Sequence, residues 1–195
     1  MDALIGLVGF SFVSSVTPGP NNVLLWASGA EFGLRRTVRH ILGTAAGLGL
    51  MALAVAAGLG VVVTNVPGVA IAMKVGGSVY LLVLAYRIAG SSGLDRGDLA
   101  RPLGLRQAIA FQLINPKAWI FALGAITTFR PTDVAIASGS LLVAGTMMTV
   151  IVPSAALWAA GGGAINRLLT NDRRRRAVSL VLAAMVVATV ASVWL

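Results

Sequence analysis

The 195-residue sequence has no cysteine, one histidine (His40) and only six carboxylates. Without cysteine there is no disulfide framework, no thiolate nucleophile and no thiolate metal site. One histidine and few carboxylates leave too few ligands for a transition-metal cage, so neither metal nor cofactor is expected. No Asp or Glu lies deep in any long apolar run, which removes paired-carboxylate acid-base chemistry, and no Ser and His pair suits nucleophilic catalysis at one membrane depth. The chain reads as a non-enzyme. Space is also short: at about 20 apolar residues per transmembrane helix, the chain has room for at most about six or seven spans and no separate soluble domain.

What dominates instead is apolar residues, at 57%, well above the roughly 45–50% of soluble domains. Runs at 4–28, 41–63, 69–88, 108–129, 134–158 and 177–195 each approach the length of a bilayer crossing. The expected fold is therefore an all-α integral membrane protein, one domain over 1–195 with six helices. The first run is expected to stay in the mature protein, because Met1 and Asp2 supply no basic leader and the run is too long for a signal peptide.

The net charge of +9 points to nucleic acid only in a soluble chain; here the basic residues cluster in alternate connections. Arg35, Arg36 and Arg39 lie in the first, Arg96, Arg101 and Arg106 in the third with Arg87 just before it, and Arg167 and Arg173 to Arg176 in the fifth. The second connection has none and the fourth only Arg130. By the positive-inside rule, connections one, three and five face the cytoplasm and both termini face outward. The four-arginine run reads as a topology anchor beside anionic lipid, not a nucleic-acid site.

Two runs are interrupted by proline. Thr17-Pro18-Gly19-Pro20-Asn21-Asn22 breaks the first and Asn115-Pro116-Lys117 the fourth, and proline in a helix removes a donor and clashes with the preceding turn. Pro20 and Pro116 stand 96 positions apart, and that offset also pairs Gly43-Thr44 with Gly139-Ser140 and Gly49 with Gly145. The pattern reads as a three-helix unit occurring twice, over about 1–95 and 100–195. An odd number of spans per copy makes the repeat inverted, and matched broken helices in two such halves point to a midplane substrate site.

Backbone freed at membrane depth must be satisfied by protein or by a cavity. Pro20 and Pro116 suit the first turn of a half-helix, whose open amides with Asn21, Asn22 or Lys117 attract a carboxylate. Freed carbonyls near Val16 and Thr17, with the Thr17 hydroxyl and the Asn115 amide, suit an ammonium group. Such a site fits a zwitterion. Lys117, a cation within a span, lacks an intramembrane counter-ion and is read as facing the cavity and as a candidate proton carrier.

Other residues have blander readings. Lys74 reads as snorkelling to the outer face, and His40 as an interfacial residue beside Arg39 with a possible proton-accepting role. Trp26, Trp119, Trp158 and Trp194 read as an interfacial belt or core packing. The small residues Gly43 to Gly47 fit helix packing, homodimerisation or sliding.

These residues resemble the LysE/RhtB family of amino-acid export permeases. The resemblance is carried by Thr17-Pro18-Gly19-Pro20-Asn21, by Phe32-Gly33-Leu34-Arg35-Arg36 leading to Gly43 and Gly47, and by Asn115-Pro116-Lys117-Ala118. The chain departs from the family pattern at Arg39, where relatives often have proline, so no role is carried over for His40. The resemblance implies a bacterial inner-membrane exporter of amino acids or close derivatives, driven by the proton gradient, with both proline motifs lining the path. With no carboxylate in a span, neutral substrates are favoured over lysine or arginine. A non-transporting scaffold, a metal-ion exporter and an intramembrane enzyme are the alternatives. The scaffold leaves the paired breaks and Lys117 unexplained; the metal exporter lacks soft ligands.

Overall fold

The structure, a computed structural model, describes residues 2–90, 101–168 and 171–194. Arg96, the junction between the two expected repeats and the side chain of Arg167 lie outside the described residues. The helices are α1 (Asp2–Val16), α2 (Pro20–Ala54), a π-helical turn (Val55–Leu59), α3 (Gly60–Asn65), α4 (Pro67–Gly90), α5 (Leu105–Ile114), α6 (Pro116–Phe129), α7 (Ile136–Leu168) and α8 (Asp172–Trp194). There is no strand among the described residues.

Proline sets three of the helix starts. Pro20, Pro67 and Pro116 each open a helix, where the missing N–H costs nothing and the fixed φ is already helical. Each follows an extended residue: Gly19 at φ −169°, ψ 172°; Val66 at −103°, 96°; Asn115 at −87°, 105°. Proline disfavours the α conformation in the residue before it, so at Val66 and Asn115 one residue both ends one helix and allows the next. α5 and α6 meet at Asn115 with a bend of 79°.

α2 is not one straight rod. A straight helix would hold Asn21 and Thr44 about 35 Å apart, yet the Thr44 hydroxyl donates to Asn21 Oδ1 at 3.1 Å. The Ser28 and Thr37 hydroxyls also meet, at 3.0 Å. Both pairs centre on the same point in the chain, beside Gly33, whose φ of 74° and ψ of 164° are not helical. That backbone region is open essentially to glycine alone. α2 is therefore an antiparallel helical hairpin, with a first arm over 20–32 and a second over 34–54.

The core forms around this hairpin. Leu7 of α1, Leu48 and Met51 of the second arm, Phe121 and Ala122 of α6, and Val143 and Met147 of α7 share one buried cluster. Leu25, Ile41, Ala155 and Ala159 close the hairpin against α7. α4 and α8 pair through Leu81, Ala85, Leu182 and Val186, and join the rest at Val23 of the first arm. Glycine permits the closest crossing: any side chain at Gly29 would collide with the Ala159 backbone, and any at Gly162 with the Trp26 backbone. The periphery carries Ile5, Ile71, Tyr86, Ile120 and Leu157, each more than half exposed. An apolar exterior of this extent suits lipid and not water.

Three helical stretches, at 20–62, 68–90 and 136–165, are apolar and long enough to cross a membrane, and the α5–α6 pair makes a fourth. The first of them contains the hairpin and so doubles back. The sequence reading placed the arginine run in a connection; instead Arg173 to Arg176 form the opening turns of α8, and α7 continues beyond 158 to Leu168. Arginine is a good helix former, so α8 begins before the apolar run that marked it.

Candidate functional site

The two helix breaks face each other. The first leaves the carbonyls at the end of α1 without helical donors, and Asn22, on the next helix, turns back to them: its Nδ2 donates to the carbonyls of Ser15 at 2.8 Å and Thr17 at 2.9 Å. At the second break the Trp119 indole donates to the Leu113 carbonyl at 2.9 Å, and Asn115 Nδ2 donates to Gln112 Oε1 at 3.1 Å. Each break is thus closed by a side chain from the half-helix that follows it. Trp119 serves the break itself, a role the interfacial-belt reading did not foresee.

Lys117 ties the breaks together. Its ammonium donates to the Thr17 carbonyl, and to the Pro18 carbonyl at 3.3 Å, across one hundred positions of sequence. The sequence reading left Lys117 without a counter-ion and assigned the freed carbonyls to a ligand's ammonium. In this conformation the lysine occupies that role itself. The stem of Lys117 runs so close to Gly19 that a Cβ there would lie 2.8 Å from Lys117 Cδ.

Gly19, Pro20, Asn21, Asn22, Asn115 and Lys117 line one cavity, joined by Ser14, Ser15 and Gln112 and walled by Leu48, Ala118, Phe121 and Ile151. Its volume is about 30 Å³, room for one or two waters and not for an amino acid. Thr17 and Pro18 contribute their carbonyls, and the Thr17 hydroxyl turns to the Val13 carbonyl. Pro116 opens α6 and abuts α4 at Gly77, where a Cβ would lie 2.9 Å from Pro116 Cδ. Neither α2 nor α6 carries a side-chain cap at its first turn, so both half-helices bring their positive ends to the cavity walls. Asn115 Oδ1 is buried with no hydrogen-bond partner, an acceptor open to a ligand donor. Among the described residues no carboxylate lines the cavity.

Ser14, Ser15 and Gln112 were missed by the sequence reading. Gln112 had a signal: it is a large amide inside an apolar run, one turn before Asn115. The two serines had none, since serine is ordinary in membrane helices.

His40 departs from expectation. It is fully buried, with neither ring nitrogen hydrogen-bonded, and it is not among the residues that line the cavity. The fold-back at Gly33 draws the start of the second arm into the bundle. Gly43 and Gly47 pack within the bundle against α5, a Cβ at Gly43 lying 2.7 Å from Ala108 Cβ and one at Gly47 2.9 Å from Gln112 Cγ. Lys74 stays away from the site, with its ammonium 5.6 Å from the centre of the Trp194 ring. Among the described residues no cluster of three or more His, Cys, Asp or Glu could hold a metal ion.

Comparison with known proteins gives this geometry a family. The chain is similar to the cysteine/O-acetylserine efflux protein of Escherichia coli (strain K12), 28% identical over 121 residues, which are 62% of each chain. It is similarly related to the protein of the same name from Salmonella typhimurium (strain LT2), 27% identical over 121 residues and again 62% of each. The match thus spans about six-tenths of the length of these curated relatives. No solved structure matches the chain. The family model described as LysE type translocator matches residues 12–194, which include both breaks and the whole cavity lining; the chain belongs to the LysE type translocator family.

Proposed function

We propose that this protein is a secondary transporter that exports neutral amino acids or close derivatives from the bacterial cytoplasm across the inner membrane, driven by the proton gradient. The observation that carries the reading is the bridge from Lys117 to the Thr17 and Pro18 carbonyls, beside the open acceptor of Asn115. A zwitterion presents the same two chemistries in reverse. Its ammonium takes the carbonyls now held by Lys117 and Asn115 Oδ1, while its carboxylate pairs with the released lysine and the open helix ends. Binding therefore exchanges one ammonium for another and separates the two breaks.

Alternating access follows from that exchange: two inverted three-helix repeats rock about the Pro20 and Pro116 breaks, with six spans and both termini outside. The packing supports the repeat. α1, the first half of one broken span, packs on α7, and α5, the first half of the other, packs on the second arm of α2; the third and sixth spans of this reading, α4 and α8, pair with each other. Lys117 is the proposed proton carrier, since among the described residues it alone of the cavity lining carries an exchangeable charge. A cavity without carboxylates supports neutral substrates, the class to which the molecules in the relatives' name belong. The role is transport and not catalysis. A non-transporting scaffold has no use for a lysine bridging two helix breaks.

The test is efflux from proteoliposomes preloaded with labelled cysteine, O-acetylserine, threonine, leucine and lysine, with and without a proton gradient. Gradient-dependent loss of neutral species is expected. Preferential loss of lysine contradicts the substrate assignment, and no selective loss from folded protein contradicts the transporter reading.

A further inference from the structure

A second concavity lies away from the cavity between the breaks. Arg35, Arg36 and Arg39 from the start of the second arm of α2, with Arg101 and Arg106 from around the start of α5, line a groove of about 940 Å³. Among the described residues no acidic side chain lines it, and none of the five arginines has an ion-pair partner. The positive-inside rule asks only for charge in these connections. It does not explain why two segments more than sixty positions apart converge their arginines on one hollow, where they repel each other unless an anion is present.

The surface beside the groove is apolar. Leu34, Val38 and Leu42 of the second arm are exposed at four-residue spacing, one stripe on the helix that bears Arg35, Arg36 and Arg39. Leu105, next to Arg106, is exposed as well. Basic pockets between transmembrane helices are suited to phospholipid headgroups, and arginine forks match phosphate oxygens two at a time.

We infer that this groove is a binding site for an anionic glycerophospholipid, its phosphate held by Arg35, Arg101 and Arg106 and an acyl chain lying along Leu34, Val38 and Leu42. Such a lipid links the turn between the two arms of α2 to the start of α5, the helix on which Gly43 and Gly47 pack. The site is independent of the transport reading.

The full-length protein is reconstituted in nanodiscs of mixed phosphatidylglycerol and phosphatidylcholine, released, and its retained lipid counted by native mass spectrometry. Wild type is expected to retain phosphatidylglycerol selectively, and that preference to fall by roughly fivefold for each arginine removed in Arg35→Gln, Arg101→Gln and Arg106→Gln. Removing equal charge through Arg173→Gln, Arg174→Gln and Arg175→Gln is expected to lower it far less, and millimolar inorganic phosphate to leave it unchanged. An equal loss in both variants means diffuse charge and overturns the site. Displacement by phosphate alone means a soluble anion and overturns the lipid. Should the glutamine variant fail to fold, the corresponding lysine variant keeps the charge and insertion while losing the forks; an unaltered preference in it overturns the proposal.

Discussion

The side chains of Asn21 and Thr44 meet at 3.1 Å although 23 positions separate them, because Gly33 folds α2 back on itself. Asn21 also lines the cavity between the helix breaks. The same bond that closes the hairpin therefore fixes the orientation of a cavity amide, linking the bend at Gly33 to the chemistry at Pro20.

Substituting Thr44→Val is expected to destabilise the protein by about 1 kcal/mol, the scale of hydrogen bonds between membrane helices. Thermal unfolding in detergent of Asn21→Ala, Thr44→Val and the double variant gives the coupling directly. Additive single effects would show that the two side chains do not support one another.

At Gly33 any other residue has to adopt a backbone conformation that costs about 1–3 kcal/mol. Gly33→Val is expected to reduce the folded, monodisperse fraction seen by size-exclusion chromatography, and Leu34→Val, one position on, to leave it near wild type. Equal yields from both would mean that the hairpin does not depend on this glycine.

Gly19→Ala tests the approach of Lys117 to the first break. The added methyl would sit 2.8 Å from Lys117 Cδ and must displace a flexible stem, so the fold is expected to survive while the lysine leaves its carbonyls. Efflux is expected to drop with unfolding temperature almost unchanged. Wild-type efflux would separate Lys117's position from transport.

Asn115→Leu keeps the size of the side chain and removes the buried acceptor. A lost substrate hydrogen bond of about 1.4 kcal/mol raises the apparent Kd about tenfold. Concentration-dependent efflux measures it; an unchanged half-saturation point would remove Asn115 from substrate binding.

The all-helical, apolar character of the fold and the helix boundaries at proline were legible because apolar runs and proline report local chemistry. The break at Thr17-Pro18-Gly19 and the bend at Asn115 fall where proline bars helix continuation. The hairpin turn was legible only as a charged connection, since nothing in Phe32-Gly33-Leu34 states that the helix resumes at once. The partner of Lys117 was illegible: carbonyls carry no sequence signal, and a bridge spanning one hundred positions depends on how the two breaks pack. The burial of His40 was illegible for a related reason, because it follows from the fold-back and not from its neighbours Arg39 and Ile41.

The most direct test of the central claim is uptake-loaded efflux from proteoliposomes containing wild type or Lys117→Met, matched for folded, inserted protein. The account predicts gradient-driven loss of neutral amino acids from wild type and none above empty vesicles from the variant, in which neither the ammonium exchange nor the carboxylate pairing can occur. Wild-type efflux from Lys117→Met would contradict it.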